Sequence, residues 1–363
     1  MSVLAAIAVL AILIVVHEMG HFLAARLQGI YANRFSIGFG PILWKYQGTQ
    51  TEYAIRAFPV GGFVGFPDDD PDSTIPPDDP NLLRNRPILD RAIVISAGVI
   101  ANLVFAYLVF VLHFGIVGIP TNNFQPGVLV PQVLSQEAPA AKAGIQAGDI
   151  ILAANGAELG QGETATRSLM RVIQDNPNQP IQLALERQGK PVAPVTVTPE
   201  PGADGKGRIG VQLRPNGNAS LRRSSNLFEV LSVAAQQFQD TFVKTLQGIG
   251  GLIFNFKDTV NQLSGPVKIV DEGAKLVRSD INFLLPFTAL ISISLAVINI
   301  LPLPALDGGH LVFLLIEGVR GKPLPNNIQE GVTQTGLMLL LGLGIFLIIR
   351  DTSQLEPIQN LLR

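Results

Sequence analysis

The chain has 363 residues, of which 47% are apolar and only 15% charged, with a net charge of −2; that is well below the usual quarter of charged residues and points to a membrane protein. Lys and Arg are scattered, which leaves no electrostatic footprint for nucleic acid. Cysteine is absent, which removes disulfide frameworks, thiolate zinc sites and cysteine nucleophiles together, so any metal must sit on His, Asp or Glu.

Residues 3–16 are uninterruptedly apolar, and 22–27 resume the pattern after a polar patch. Together they give about 25 residues, enough to cross ~30 Å of hydrocarbon, and 1–28 is read as a first transmembrane helix. No basic residue precedes the run and no small-residue cleavage site follows it, which argues against a cleaved signal peptide. The interrupting patch is His17-Glu18-Met19-Gly20-His21, an H-E-x-x-H sequence. On a helix, residues four apart share a face, so both imidazoles can bind one metal while Glu18 beside them takes a proton from water. In a soluble helix these would be ordinary surface residues. Inside an apolar span, ionisable groups are costly and normally face the bundle interior for a functional reason.

Residues 29–91 form a loop in which Tyr53, Ile55, Phe58 and Val60 alternate with smaller or polar residues between bends at Gly38, Gly40, Gly48, Gly61, Gly62 and Gly65. This predicts membrane-associated β hairpins over 35–66, whose backbone groups must be paired in protein or face a water-filled cavity. The seven basic residues between Arg26 and Arg91, against none before the first span, place this loop in the cytoplasm and the N-terminus outside.

A second span is predicted at 92–118, a third at 281–303 and a shorter fourth at 332–350. The second carries Gly98-Val99-Ile100-Ala101-Asn102, with Asn102 read as an interhelical hydrogen-bonding residue, and His113, read as interfacial or packed. Between the second and third spans, 126–215 alternates strand-like runs at 128–133 and 181–186 with a helical run at 165–174, and 227–280 reads as amphipathic helix.

Two imidazoles do not complete a catalytic zinc site, which usually has three protein ligands and one open position. The candidate for the third is Asp307 in Asn299-Ile300-Leu301-Pro302-Leu303-Pro304-Ala305-Leu306-Asp307-Gly308-Gly309-His310, where two prolines break the third span. Read by itself, the same stretch also fits an interfacial turn with Asp307 as the N-cap of a following helix. His310 is a rival ligand. Segment 304–331 is read as the loop that carries the third ligand.

HEMGH in the first span together with NILPLPALDG at the third resembles the site-2 protease family of intramembrane zinc metalloproteases. Phe58-Pro59-Val60-Gly61-Gly62-Phe63 and Leu263-Ser264-Gly265-Pro266 are similar to its bacterial branch, so the likeness covers essentially the whole chain. The resemblance implies Zn²⁺ as cofactor, Asp307 as its third ligand and Asn299 as a contact to the substrate backbone. It departs in the second span, where the family often has Gly-Pro-x-x-Asn and this chain has no proline, which predicts a straighter helix. Gly127-Val128-Leu129-Val130, Ala138 to Ile145, Gly148-Asp149-Ile150-Ile151 and Asn155-Gly156 stand in the order of a bacterial PDZ domain, which would bind a peptide or protein C-terminus.

The expectation is therefore a polytopic α-helical membrane protein with four transmembrane helices, a membrane re-entrant β element and an inserted α+β PDZ domain. It would work as a zinc endopeptidase in a bacterial inner membrane, cutting single-pass membrane proteins such as an anti-sigma-factor type regulator. Its N-terminus and PDZ domain would lie outside and its catalytic loop toward the cytoplasm. A zinc transporter or sensor is disfavoured because only one broken helix is seen where transporters show paired repeats. An inactive scaffold is disfavoured because Glu18 would then have no use.

Overall fold

The computed structural model describes residues 2–70, 73–202, 204–254 and 265–353. In chain order these form α1 (Ser2–Leu27), β1 (Arg34–Gln47), β2 (Glu52–Gly65), α2 (Ile88–Ile116), β3 (Ile119–Leu129), α3 (Pro139–Lys142), β4 (Ile150–Ala154), β5 (Ala157–Glu158), α4 (Gly162–Asp175), β6 (Ile181–Arg187), β7 (Lys190–Val197), β8 (Glu200–Pro201), β9 (Gly207–Arg208), β10 (Arg214–Arg222), α5 (Leu227–Phe254), α6 (Pro266–Ser279), α7 (Leu284–Asn299), α8 (Asp307–Arg320) and α9 (Asn326–Ser353). Leu263 and Ser264, flagged in the sequence, lie outside the described residues. Two compact units result, one from Met1–Val117 with Arg223–Arg363 and one from Gly118–Arg222.

The first unit joins α1, α2 and α5 to α9 with the β1–β2 element, and four of its helical segments are long and apolar enough to cross a membrane: Leu4–Leu27, Ile88–Ile116, Ile281–Asn299 and Asn326–Ser353. Lipid tails are as apolar as leucine, so helices there associate through close backbone approach at small residues and through interhelical hydrogen bonds. Both devices occur. A Cβ on Gly20 of α1 would lie 2.4 Å from the Ala97 carbonyl oxygen and 2.8 Å from the Ala101 Cβ of α2, so only glycine permits this approach. Against α7, the buried Ser292 hydroxyl donates to the Asn102 carbonyl of α2 at 2.8 Å. Leu4, Ile12, Leu23 and Leu27 of α1 stay exposed, as lipid-facing side chains do.

The β element is a single curled sheet. Residues 34–37 of β1 pair with 62–65 on one side, the partner number falling as theirs rises, and with 52–55 on the other, the two numbers rising together. Residues 44–47 then pair with 52–55 in turn, so the two strands fold into four rows with 62–65 along one edge. The bends fall where the backbone needs positive φ, at Gly38, Gly40 and Gly61. Phe39, Leu43, Trp44, Tyr46 and Phe58 are exposed.

The structure departs from four sequence expectations. The third span ends at Asn299 rather than 303, because Pro302 and Pro304 cannot donate to a continuing ladder. Segment 304–331, expected as a loop, carries the helix α8, whose start is hidden in the sequence by Gly308 and Gly309. Asp307 is the first residue of that helix and Leu306 its N-cap, with no side-chain cap bond, so the N-cap reading of Asp307 falls. In addition, α9 begins at Asn326, six residues before the expected 332, because its first turns are polar and escape hydropathy. The missing proline in the second span is matched by an unbroken α2 of 29 residues.

The second unit is a sheet of order β10-β3-β4-β6-β7 with β5 beside β4, all pairings antiparallel. Inward-facing Val128, Ile151, Leu183 and Leu185 form its core with Leu169 and Ile173 of α4. Asp149 is buried at the turn before β4 and takes Arg187 in a two-pronged pair at 2.6 and 2.8 Å and the Gln146 backbone N–H at 2.8 Å. Burial alone would raise its pKa. The Arg187 and Gln146 hydrogen bonds outweigh that and hold the carboxyl below its ordinary value. The pair therefore contributes stability above the unfolded carboxylate pKa of about 3.9, and the contribution is lost as pH falls through the depressed folded value. Asp149→Asn is expected to cost on the order of 2 kcal/mol at neutral pH, with the difference from wild type vanishing in acid. Hydrogen exchange across 118–222 as a function of pH checks this; an unchanged difference in acid would contradict it.

Candidate metal centre

The helical spacing of His17 and His21 puts both rings on the face of α1 that meets α2, edge to face with centroids 4.8 Å apart. Their Nε2 atoms are 3.3 Å from each other. The Asp307 Oδ2, delivered by the first turn of α8, lies 3.3 Å from His17 Nε2 and 3.5 Å from His21 Nε2. Among the described residues, these three make the one group of potential metal donors. A tetrahedral site with bonds of about 2.0–2.1 Å has edges of about 3.3–3.4 Å, so the three separations fit a zinc-sized ion at the common focus. Asp307 Oδ2 is also buried without a hydrogen bond, which a cation would remedy.

The surrounding chain fixes these donors. His21 Nδ1–H donates to the Val94 carbonyl of α2 at 2.8 Å, which leaves the Nε2 lone pair for a metal. Asn102 is fully buried with its amide 3.4 Å from His17 Nδ1. Its Oδ1 is buried without a partner; turning the amide brings this oxygen to accept from His17 Nδ1–H and leaves the second Nε2 equally bare. Gly98, one turn before Asn102, has no side chain because the rings occupy that space: a Cβ there would lie 2.3 Å from His21 Nε2 and 2.7 Å from His17 Cε1. At the other wall, a Cβ on Gly308 would lie 2.2 Å from the Leu301 carbonyl oxygen, and one on Gly309 2.3 Å from that of Leu303. The two glycines thus let α8 press onto the proline-broken turn and carry Asp307 to the histidines.

Glu18 shares a cavity of about 830 Å³ with the three donors and lies against the backbone of Val64 and Gly62, on the edge of the β sheet. Asn299, the last residue of α7, places its amide nitrogen 3.4 Å from His17 Nε2. His310 lines the same cavity one turn beyond Asp307, with its ring against Phe313, and is not part of the donor group. His113 is remote from the group and packs on Phe114.

The description peptidase family M50 matches residues 5–343. The chain belongs to this family. A protein of Nostoc sp. whose name proposes a zinc metalloprotease is 61% identical over 98% of this chain and 97% of its own. The chloroplastic membrane metalloprotease ARASP of Arabidopsis thaliana is 48% identical over 99% of this chain and 81% of its own. The regulator of sigma-E protease RseP of Escherichia coli is 29% identical over 94% of this chain and 96% of its own.

As an M50 peptidase with four helices long and apolar enough to cross a membrane, the chain is an integral membrane enzyme. Sequence reasoning missed Gly98 and the way Asn102 addresses His17. The available signal was their spacing of four, which puts both on one face of α2.

Proposed function

We propose that this M50 peptidase is a zinc-dependent intramembrane endopeptidase that cuts membrane-spanning proteins within or beside the bilayer. The observation that carries this reading is Glu18 in one cavity with His17, His21 and Asp307, on a helix apolar enough to span the membrane. The chemistry that zinc supplies between these ligands is Lewis-acid polarisation of the scissile carbonyl and acidification of water. Glu18 takes the proton of the attacking water and then hands it to the leaving amine. Asn299, beside the donor group, is placed to hydrogen-bond the substrate backbone.

A helical peptide bond is shielded by its own hydrogen bonds, so the substrate unwinds before cleavage. The edge at 62–65, next to Glu18 and paired with a strand on one side only among the described residues, offers backbone groups to an extended strand. The exposed aromatic residues of β1 and β2 support a β element that dips into the bilayer, where amphipathic rings favour the interface. The sheet of the second unit, with its buried Asp149 turn and α4, supports a PDZ domain at 126–215 that takes a peptide or protein C-terminus. Single-pass regulators of the anti-sigma-factor type are the substrate class the relative RseP suggests.

The test is reconstitution in lipid vesicles with a single-pass helical substrate. Cleavage should vanish on chelation and return with added zinc; cleavage unaffected by chelation would exclude the mechanism. The basic loop supports an N-terminus and second unit outside a bacterial inner membrane. In intact cells a cysteine replacing Gly205 should then label with an impermeant reagent and one replacing Asp78 should not, the reverse pattern overturning this orientation.

A further inference from the structure

The helix α9 is divided along its length. Residues 336–349 are apolar or glycine without exception, but 14 residues at about 1.5 Å each cover only about 21 Å, short of a hydrocarbon core of about 30 Å. The far end cannot supply the rest. Arg350 and Asp351 follow immediately, and the buried Asp351 is tied to the start of α6 by accepting from the Lys268 backbone N–H at 3.1 Å. If α9 crosses the bilayer, the polar turns before Gly336 lie at hydrocarbon depth.

Those turns carry Asn326, Gln329, Glu330, Thr333 and Gln334, spaced 3, 4, 7 and 8 residues from the first. That spacing puts all five on one helical face, and all five line the cavity that holds His17, Glu18 and Asp307. Gly336 seats this face beside the metal-ligand turn: a Cβ there would lie 2.3 Å from the Pro304 Cβ and 2.7 Å from the Pro304 carbonyl oxygen. Gln329 is engaged locally, donating to the Leu324 carbonyl at 2.8 Å. Thr333 and Gln334, nearest the seat, have side chains with no hydrogen-bond partner among the described residues. Polar groups at that depth are costly without partners and mark a substrate or ion path. The same cavity has residues 62–64 of β2 in another wall, so an extended chain lying in it meets backbone groups from the sheet and side-chain amide and hydroxyl groups from α9.

We propose that Thr333 and Gln334 are substrate-binding residues that hydrogen-bond the peptide groups of an unwound membrane-spanning segment. A carboxamide offers both donor and acceptor and a hydroxyl can turn to either role, so together they recognise a bare backbone whatever its side chains. Each bond replaces one the substrate gave up on leaving its helix. The inference rests on the reading of the chain as an intramembrane peptidase.

The experiment pairs a double variant, Thr333→Val with Gln334→Met, with semisynthetic single-pass substrates in which one peptide near the scissile bond at a time is replaced by an ester. The variant side chains keep their volume and make α9 more apolar, so insertion is not weakened, and zinc content should equal that of the wild type. Wild-type kcat/KM should fall about tenfold for the double variant, and by a similar factor for an ester at one or two positions. At those positions the variant should be indifferent to the ester, the non-additive result of a shared contact. Thr333→Ser with Gln334→Asn should retain most activity. Wild-type-like cleavage by the Val/Met variant, or losses that multiply independently at every ester position, would overturn the proposal while leaving the peptidase intact. Failure of the wild-type chain to cleave in a zinc-dependent way would instead sink the peptidase reading, and this inference with it.

Discussion

Glu18→Gln is expected to lower the rate of peptide-bond cleavage by about 10²–10⁴-fold, the range a positioned general base supplies, with zinc content unchanged. The amide keeps the size of the carboxylate, so its packing against Gly62 and Val64 survives. What is lost is the acceptor for the water proton and the acid for the leaving amine. Glu18 is outside the donor group of His17, His21 and Asp307, which is why base and ligands separate in this experiment. Turnover of a reconstituted membrane substrate, measured beside zinc content on the same preparation, checks it. Near wild-type turnover would remove Glu18 from the mechanism.

Gly98→Val should have a comparable effect by a different route. The position holds no ligand, and sequence alone gives little reason to expect harm from one added isopropyl group in an apolar helix. The geometry does. The new Cβ would overlap His21 Nε2 at 2.3 Å and His17 Cε1 at 2.7 Å, and His21 cannot swing away without losing its 2.8 Å bond to the Val94 carbonyl. Either the rings leave their common focus or α1 and α2 separate, and a displacement of about 1 Å at a catalytic centre costs about 100-fold. Zinc content and turnover should fall together, unlike the Glu18→Gln result. Retention of both would show that α2 does not bound the site.

How much of this was legible in the sequence depended on whether the signal was local. His17 and His21 announce themselves because four residues is one helical turn and the surrounding run is apolar. Pro302 and Pro304 announce the end of α7 because proline removes a donor. The start of α8 was not legible: Gly308 and Gly309 read as turn residues, whereas they serve close approach to the carbonyls of Leu301 and Leu303 inside a helix. The start of α9 was hidden by its polar face, which serves the cavity rather than lipid. The pairing of residues 34–37 with both 62–65 and 52–55 was not legible either, since it joins segments through bends at glycines that fit several hairpin registers. Asn102 lay between these cases: its interhelical role followed from a polar residue in an apolar span, but its partner, His17, is 85 residues away.

The central claim is a single metal centre assembled from α1 and the first turn of α8. Its most direct test is the zinc content of purified wild type, His21→Ala, Asp307→Ala and Glu18→Gln, each after dialysis against the same weak chelator. The account predicts about one zinc per chain in wild type and Glu18→Gln, and strong depletion in the other two, because each of these removes one of three protein ligands. Full zinc occupancy in His21→Ala or Asp307→Ala, or its absence from the active wild type, would contradict it.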